Sequence, residues 1–343
     1  MKRLIGGMIA FVALAVGCGA EDSASMPSNQ EGPRAVEPEL SAGPEGLPEG
    51  YVETPVGGFH QSCVHEVPDG AVVDRDGAIR LDGQVLRAPS ACAFKRVRIN
   101  REQVIRGTSG VEGVARQSSA LGLDGWVSRV QASANNLGVF PPRFNGIEST
   151  MTVPPTPTVQ LFQQIYLFVS LTPADDQAIL QPVLQWGGEA GNRWMVAGWF
   201  IDRADNVFHS TRVNVTAGET IKGTIRDVRN SCVGTDCQWE IKLLRGNTSI
   251  SSLRVNSTEA YAHAQKAVFE AYKLTSCRQL PSGVAYFLNT KLYAPYDPAN
   301  VDARIEVTGS VTWKKTINPF DLSCGFDAVF PNPQTAVLTW TWN

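Results

Sequence analysis

From about residue 115 to its C-terminus the sequence is strand after strand. "QQIYLFVSL", "AILQPVLQWG", "NRWMVAGWFI", "ETIKGTIRDV", "CQWEIKLLRG" and "TAVLTWTW" are rich in β-branched and aromatic residues and bounded by turn residues. The spacing is about ten residues, with no βαβ rhythm and no fixed repeat. It predicts an all-β fold, a two-sheet antiparallel β-sandwich of the concanavalin or jelly-roll kind over residues 111–343. One segment resists. "EAYAHAQKAVFEAYKL", residues 259–274, is alanine-rich, and its local propensity is helical.

Within the strand-rich half, "AILQPVLQWGG" (178–188) carries a contradiction. Ile179, Leu180, Val183, Leu184 and Trp186 read as a buried strand, yet Gln181 and Gln185 stand among them. Side chains alternate along a strand, so 179, 181, 183 and 185 share one face and both carboxamides point the same way. A buried amide left without partners costs about 1–3 kcal/mol. Either that face is wet or the amides have a task.

The N-terminus speaks of export. "MKRLIGGMIAFVALAVGC" places Lys2 and Arg3 before an apolar run and small residues before Cys18, the pattern of a secretory signal. "AVGC", Ala15 to Cys18, resembles a bacterial lipobox, which implies cleavage before Cys18 and a lipid on its sulfur. An ordinary signal cut further on is the alternative. The expectation is an exported lipoprotein, periplasmic or at the cell surface, held to the membrane by this N-terminal lipid anchor. Residues 19–58, rich in Pro, Glu, Ser and Gly, have little to bury and read as a disordered tether. Residues 59–110 read as a small disulfide-stapled unit of two or three short strands, with hairpin signals at Asp76-Gly77 and Asp82-Gly83. Charged residues make up only 18%, beside 31 Gly and 21 Pro, a mixture that suits an exported all-β chain. A net charge of −3 and the lack of any Lys/Arg run argue against a nucleic-acid partner.

Seven cysteines are present. With Cys18 set aside for lipidation, an even number is left for an oxidising compartment. Several connectivities are open; chain order favours Cys63–Cys92, Cys232–Cys237 and Cys277–Cys324. No pair has CxxC spacing, so zinc and dithiol chemistry are poorly supported. There is no HExxH, no GxSxG and no phosphate-cradling glycine loop. The four histidines, His60, His65, His209 and His263, are scattered. Neither a metal nor a cofactor is expected, and Asp202 and Asp205 in "DRADN" read as a charged turn. What remains is amide and carboxylate.

In that light residues 115–290 resemble the glutamic peptidases, the eqolisin family of acid proteases. Four pieces follow the family's order: "FNGIESTMTVPP", "AILQPV", "TAGETIKGTIRDV" and "KAVFEAY". The second is similar to the family's Ile-Leu-Gln motif and the fourth to its glutamate strand. The resemblance implies a catalytic glutamine at Gln181 and a catalytic glutamate at Glu270. It also implies a substrate groove touched by Phe168, Gln185, Trp194 and Trp126, and a bacterial branch in which the unit around Cys63 and Cys92 is a pro-segment. It requires a strand over 266–272, with Lys266, Val268, Glu270 and Tyr272 on one face, against the helical propensity there. The sequence departs from the family in the pocket. Phe168 stands near the place of a Trp, Thr172 near that of an Asp, and "WMVAGW" keeps Trp194 and Trp199 without the Glu between them.

The implied chemistry is coherent. One glutamic acid can act as base and then as acid if a partly apolar site raises its pKa. A glutamine NH2 can be aimed at the developing oxyanion. A carboxyl protonated in the ground state implies an acidic optimum. The expected activity is that of a monomeric acid endopeptidase acting on polypeptides. The alternative is a non-catalytic carbohydrate-binding or lectin-like β-sandwich lipoprotein, whose aromatic and amide side chains would suit sugars.

Overall fold

The computed structural model describes residues 47–97, 125–138, 142–188, 191–228, 231–297, 300–317 and 324–341. All of them belong to one unit, Glu39–Asn343. Cys18, the signal segment and most of the expected tether lie outside the described residues. Six short strands come first: β1 (Tyr51–Thr54), β2 (Gly57–His60), β3 (Val64–Val67), β4 (Val72–Val73), β5 (Ile79–Leu81) and β6 (Gln84–Arg87). The next are β7 (Gly125–Ser133), β8 (Gly146–Thr152), β9 (Gln164–Thr172), β10 (Ile179–Trp186), β11 (Trp194–Ile201) and β12 (Val207–Ser210). They are followed by β13 (Val213–Val215), β14 (Thr220–Asp227), β15 (Cys237–Arg245), β16 (Thr248–Ser257) and β17 (His263–Tyr272). The chain closes with β18 (Val284–Asp297), β19 (Asn300–Glu306), β20 (Lys314–Ile317), β21 (Asp327–Asn332) and β22 (Thr335–Thr339).

Two sheets carry the fold, the all-β sandwich expected from the strand spacing. The front sheet runs β20-β7-β17-β9-β10-β11-β12-β3, with β13 beside β11. The back sheet runs β21-β22-β18-β8-β14-β15-β16-β4-β5-β6, with β19 beside β18. The back sheet alternates as a half-solvated sheet should. Ile221, Ile225, Trp239, Ile241 and Leu243 point inward, while Lys222, Glu240 and Lys242 reach toward water. The front sheet does not alternate: β9, β10 and β11 are buried at every position. Its inner face, with Leu167, Leu180, Leu184, Val196 and Phe269, belongs to the core shared with the back sheet. Its outer face, with Tyr166, Phe168, Val183, Trp199, Val268 and Tyr272, forms a second apolar cluster that includes Phe59 of β2. Double coverage is why these strands read as nearly unbroken apolar runs.

Coverage also decides the contested segment. β17 lies between β7 and β9 and makes a ladder with each. Pairing on both edges and burial on both faces outweigh its alanine-rich propensity. Val268, Glu270 and Tyr272 share the outer face as expected, but Lys266 does not. A bulge between Gln265 and Ala267 removes it from the alternation. Its ammonium donates instead to the carbonyls of Asn332, Pro333 and Thr335 in the β21–β22 turn of the back sheet, at 3.1–3.3 Å.

The N-terminal segment does not stand apart as a hairpin unit. β3 pairs in parallel with β12 on the front sheet, and β4 pairs in parallel with β16 on the back sheet. Strands of two to four residues have no core of their own to bury, and sheet edges offer unpaired backbone groups to them. The β1–β2 hairpin spans the boundary expected between 58 and 59. Asp82 and Gly83, at φ 49° and 81°, make the expected tight turn between β5 and β6. The three disulfides join Cys63–Cys92, Cys232–Cys237 and Cys277–Cys324, with Cα separations of 5.3, 4.1 and 5.6 Å.

Beneath the two glutamines the sheets approach closely. Pro182 and Gly198 face each other across β10 and β11. A Cβ on Gly223 of β14 would lie 2.8 Å from Pro182 Cγ, and one on Gly198 would lie 3.1 Å from Ile241 Cγ2. Gly223→Val therefore overpacks this contact, at a cost of about 1–3 kcal/mol. Thermal unfolding should show Tm falling by roughly 2–4 °C per kcal/mol lost; an unchanged Tm would show that the sheets do not meet there.

Candidate active site

The strand registers order the outer face into rows. One row crosses the sheet through Trp126, Glu270, Tyr166 and Gln185. The next, apolar row is Val268, Phe168 and Val183. Beyond it, Gln181 stands beside Trp199, which itself faces His209. On its other side the register continuing from Leu180–Leu171 sets Gln181 level with Ser170, which pairs with Gln265. Gln181 and Glu270 thus share a face, as the alternation demanded, but they do not share a row. Four residues along a strand amount to about 13 Å. The carboxamide level with Glu270 is that of Gln185.

The sheet is irregular where these rows meet. Pro182 has no N–H to give to the ladder, and the β9–β10 pairing is interrupted between Leu180 and Val183, with the same register on either side. On the other edge of β9 the β17 register shifts between Gln265 and Val268. Such irregularities re-aim side chains and gather near sites.

Glu270 is fully buried. Its Oε1 accepts the backbone N–H of Val56 at 2.7 Å and the Tyr272 hydroxyl. The carboxamides differ among themselves. Gln265 is satisfied: its Oε1 accepts from the Ser170 hydroxyl at 2.6 Å, and its Nε2 donates to Thr172 Oγ1 at 3.4 Å. Gln181 is equally buried, yet neither its Nε2 nor its Oε1 has a hydrogen-bond partner among the described residues; Gln185 Oε1 is in the same position.

A cleft of about 240 Å³ opens beside Glu270, lined by Val56, Trp126, Arg129, Thr172, Ile179 and Tyr272 among others. Arg129 lies over the Trp126 ring, 5.2 Å from its centroid. Burial pushes the Arg129 guanidinium pKa down, and Asp176 opposes that shift. Burial alone would raise the Asp176 pKa, but His263, 3.5 Å away, and the hydrogen bond from the Thr172 hydroxyl outweigh it and leave the carboxyl below its ordinary value.

Of the residues expected to touch substrate, Trp126 walls the cleft, meeting Phe168 edge-on at 5.9 Å. Phe168 lies at the centre of the outer face. Trp194 is corrected: it points into the inter-sheet core, edge-on to Trp186 at 5.5 Å. It stands five residues from Trp199, so alternation sends the two to opposite faces, and Trp199 is the outer one. Tyr166 and Gln265 were missed, though both lie on the outer face of strands that the sequence marks; Tyr272, expected on the face of Glu270, is also its hydrogen-bond donor. Val56 and Phe59 carried no signal, because their place depends on a pairing over 200 residues away.

No family model and no curated protein matches the chain. Several solved structures are similar in fold. The scytalido-glutamic peptidase bound to a peptide-based transition-state analogue is 13% identical, with a TM-score of 0.42 over 64% of this chain and 98% of that one. SCP-B, a member of the eqolisin family of peptidases solved with the tripeptide Ala-Ile-His, is 14% identical, with a TM-score of 0.39 over the same shares.

One titration bears on how the N-terminal segment is held. His65 lies on β3 opposite Phe208, and burial first, then Arg87 and His209, push its pKa down to about 4. The free imidazole titrates near 6.5. Between those values the unfolded chain takes up a proton that the folded chain refuses, so stability falls as the pH drops from about 6.5 to about 4. Below about 4 the penalty is complete and the slope ends. Tm followed across this range should decline, and His65→Gln should flatten the decline. An equal slope in both proteins contradicts the assignment.

Proposed function

We propose that the outer face of the front sheet is a peptide-hydrolysing site and that the chain is an acid endopeptidase of the glutamic type, exported and anchored through Cys18. One observation carries the reading. A buried carboxyl shares a sheet face with two buried carboxamides that have polar atoms unanswered, beside an aromatic-walled cleft. Groups in this state cost stability and persist where they serve chemistry.

In the proposed reaction Glu270 takes a proton from a water as its oxygen bonds to the substrate carbonyl carbon. The proton then passes to the amide nitrogen as the C–N bond breaks. A carboxamide N–H donates to the oxyanion formed between these steps. Gln181, four residues along the strand from the row of Glu270, is one candidate, named by its motif and by having both polar atoms unanswered. Gln185 is the second candidate, because the register sets it level with Glu270. Phe168, Trp199 and Trp126 supply the apolar surface against which substrate side chains lie.

Casein cleavage by the purified chain, followed near pH 3.5 and at pH 7, tests the reading. Acid-dependent cleavage is expected, and Glu270→Gln should abolish it with the fold intact. Replacing the true oxyanion donor by Ala should lower kcat by about 10²–10³, whereas replacing the other glutamine should change it far less. Full activity in Glu270→Gln removes the hydrolytic reading. Retention on a polysaccharide column without cleavage establishes the glycan-binding alternative.

A further inference from the structure

The β1–β2 hairpin is seated on this site in a way that a structural cover does not require. Hairpin tips normally face water. Here Thr54, Pro55 and Gly57 at the tip are buried and Val56 partly so. The tip is a two-residue turn, Thr54 pairing with Gly57. Pro55 takes its first central position and Val56 its second, with φ 78°. Glycine or asparagine belongs at that position. A β-branched residue held there is strained by about 1–3 kcal/mol.

The turn receives something for that strain. The Val56 side chain packs against the outer-face cluster and walls the cleft, and its N–H donates to Glu270. The hairpin is also anchored to the strands that carry the site. The Glu53 carboxylate accepts from Gln164 Nε2 of β9 at 2.8 Å and pairs with Lys273, just past β17, at 2.7 Å. Its carbonyl accepts from the Tyr166 hydroxyl at 3.3 Å. Phe59 fills the apolar cluster, and Gly58 exchanges backbone hydrogen bonds with Val97 at 2.9 and 3.1 Å.

We propose that the Tyr51–His60 hairpin is a built-in inhibitor of the outer-face site, with the Thr54–Gly57 turn occupying the place of a substrate backbone and Val56 capping Glu270. The proposal rests on that face being a substrate groove. It differs from the pro-segment that the family resemblance implies, since the blocking residues begin N-terminal to position 59. The strained turn makes the inhibitor releasable: leaving the site frees Val56 from its positive φ. A substrate therefore competes with a tethered occupant held by the Val56 N–H, by the Glu53 contacts to Gln164, Tyr166 and Lys273, and by Phe59.

The test compares full-length wild type with Val56→Pro, which has no N–H to donate and cannot reach a positive φ. Oxidised insulin B chain serves as the probe in two assays. One is acid-pH cleavage. The other is binding read by tryptophan fluorescence at pH 7 with Glu270 in place, where the acid-dependent turnover does not run. Val56→Pro should raise both kcat/KM and affinity on the order of tenfold, the worth of a lost hydrogen bond to a charged group. Val56→Gly, which keeps the N–H and relieves the strain, should move both the other way. A folded Val56→Pro with wild-type affinity overturns the inhibitor. Raised affinity with no cleavage upholds it and overturns the hydrolytic reading instead. If Val56→Pro fails to fold, Glu53→Ala removes the anchor to Gln164 and Lys273 and is judged by the same outcomes.

Discussion

A sheet covered on both faces has nowhere to hide a polar group, and that constraint organises this molecule. The front sheet is pressed against the back sheet on one side and closed by the N-terminal hairpin on the other. Each polar side chain on its outer face must find a partner or remain a standing cost. Most find one. Ser170 bonds to Gln265, Tyr166 to Gln164, and Tyr272 to Glu270. Gln181 and the Gln185 carbonyl oxygen do not. The unanswered atoms are therefore informative here in a way they would not be on a wet face.

The same constraint links packing to conformational state. The outer face stays dry only while the hairpin sits on it. The hairpin sits there through contacts made chiefly to β9 and β17, the strands that hold the acid and its neighbours. Its turn is strained where it meets Glu270. The acid, Gln185 in its row and Gln181 four residues further along thus stand on one face beneath a cover of the chain's own backbone. Gly198 and Gly223 let the inner side of that face pack closely against the back sheet.

Much of this was legible in the residues. β-Branched runs at turn-bounded intervals announced the sandwich, and alternation in "AILQPVLQWGG" placed Gln181 and Gln185 on one face. Alternation would also have sent Trp194 and Trp199 to opposite faces, and following it through would have spared the misplacement of Trp194. Other features lie beyond any local pattern. Lys266 leaves its expected face because a bulge inserts one residue, and a bulge leaves no mark in composition. Residues 259–274 carry helical propensity, overruled by neighbours more than 90 residues away in the chain. "ETPVGG" looks like an ordinary turn; that it closes over Glu270 follows from long-range pairing alone.

The Val56 amide offers the most direct measurement of this arrangement. Its hydrogen-exchange rate reports whether the turn is held on the Glu270 carboxylate or merely lies nearby. Strong protection is expected at Val56, well beyond that of other hairpin tips, and it should be lost in Glu270→Ala. Rapid exchange at Val56 in the wild-type chain, with no response to position 270, would contradict it.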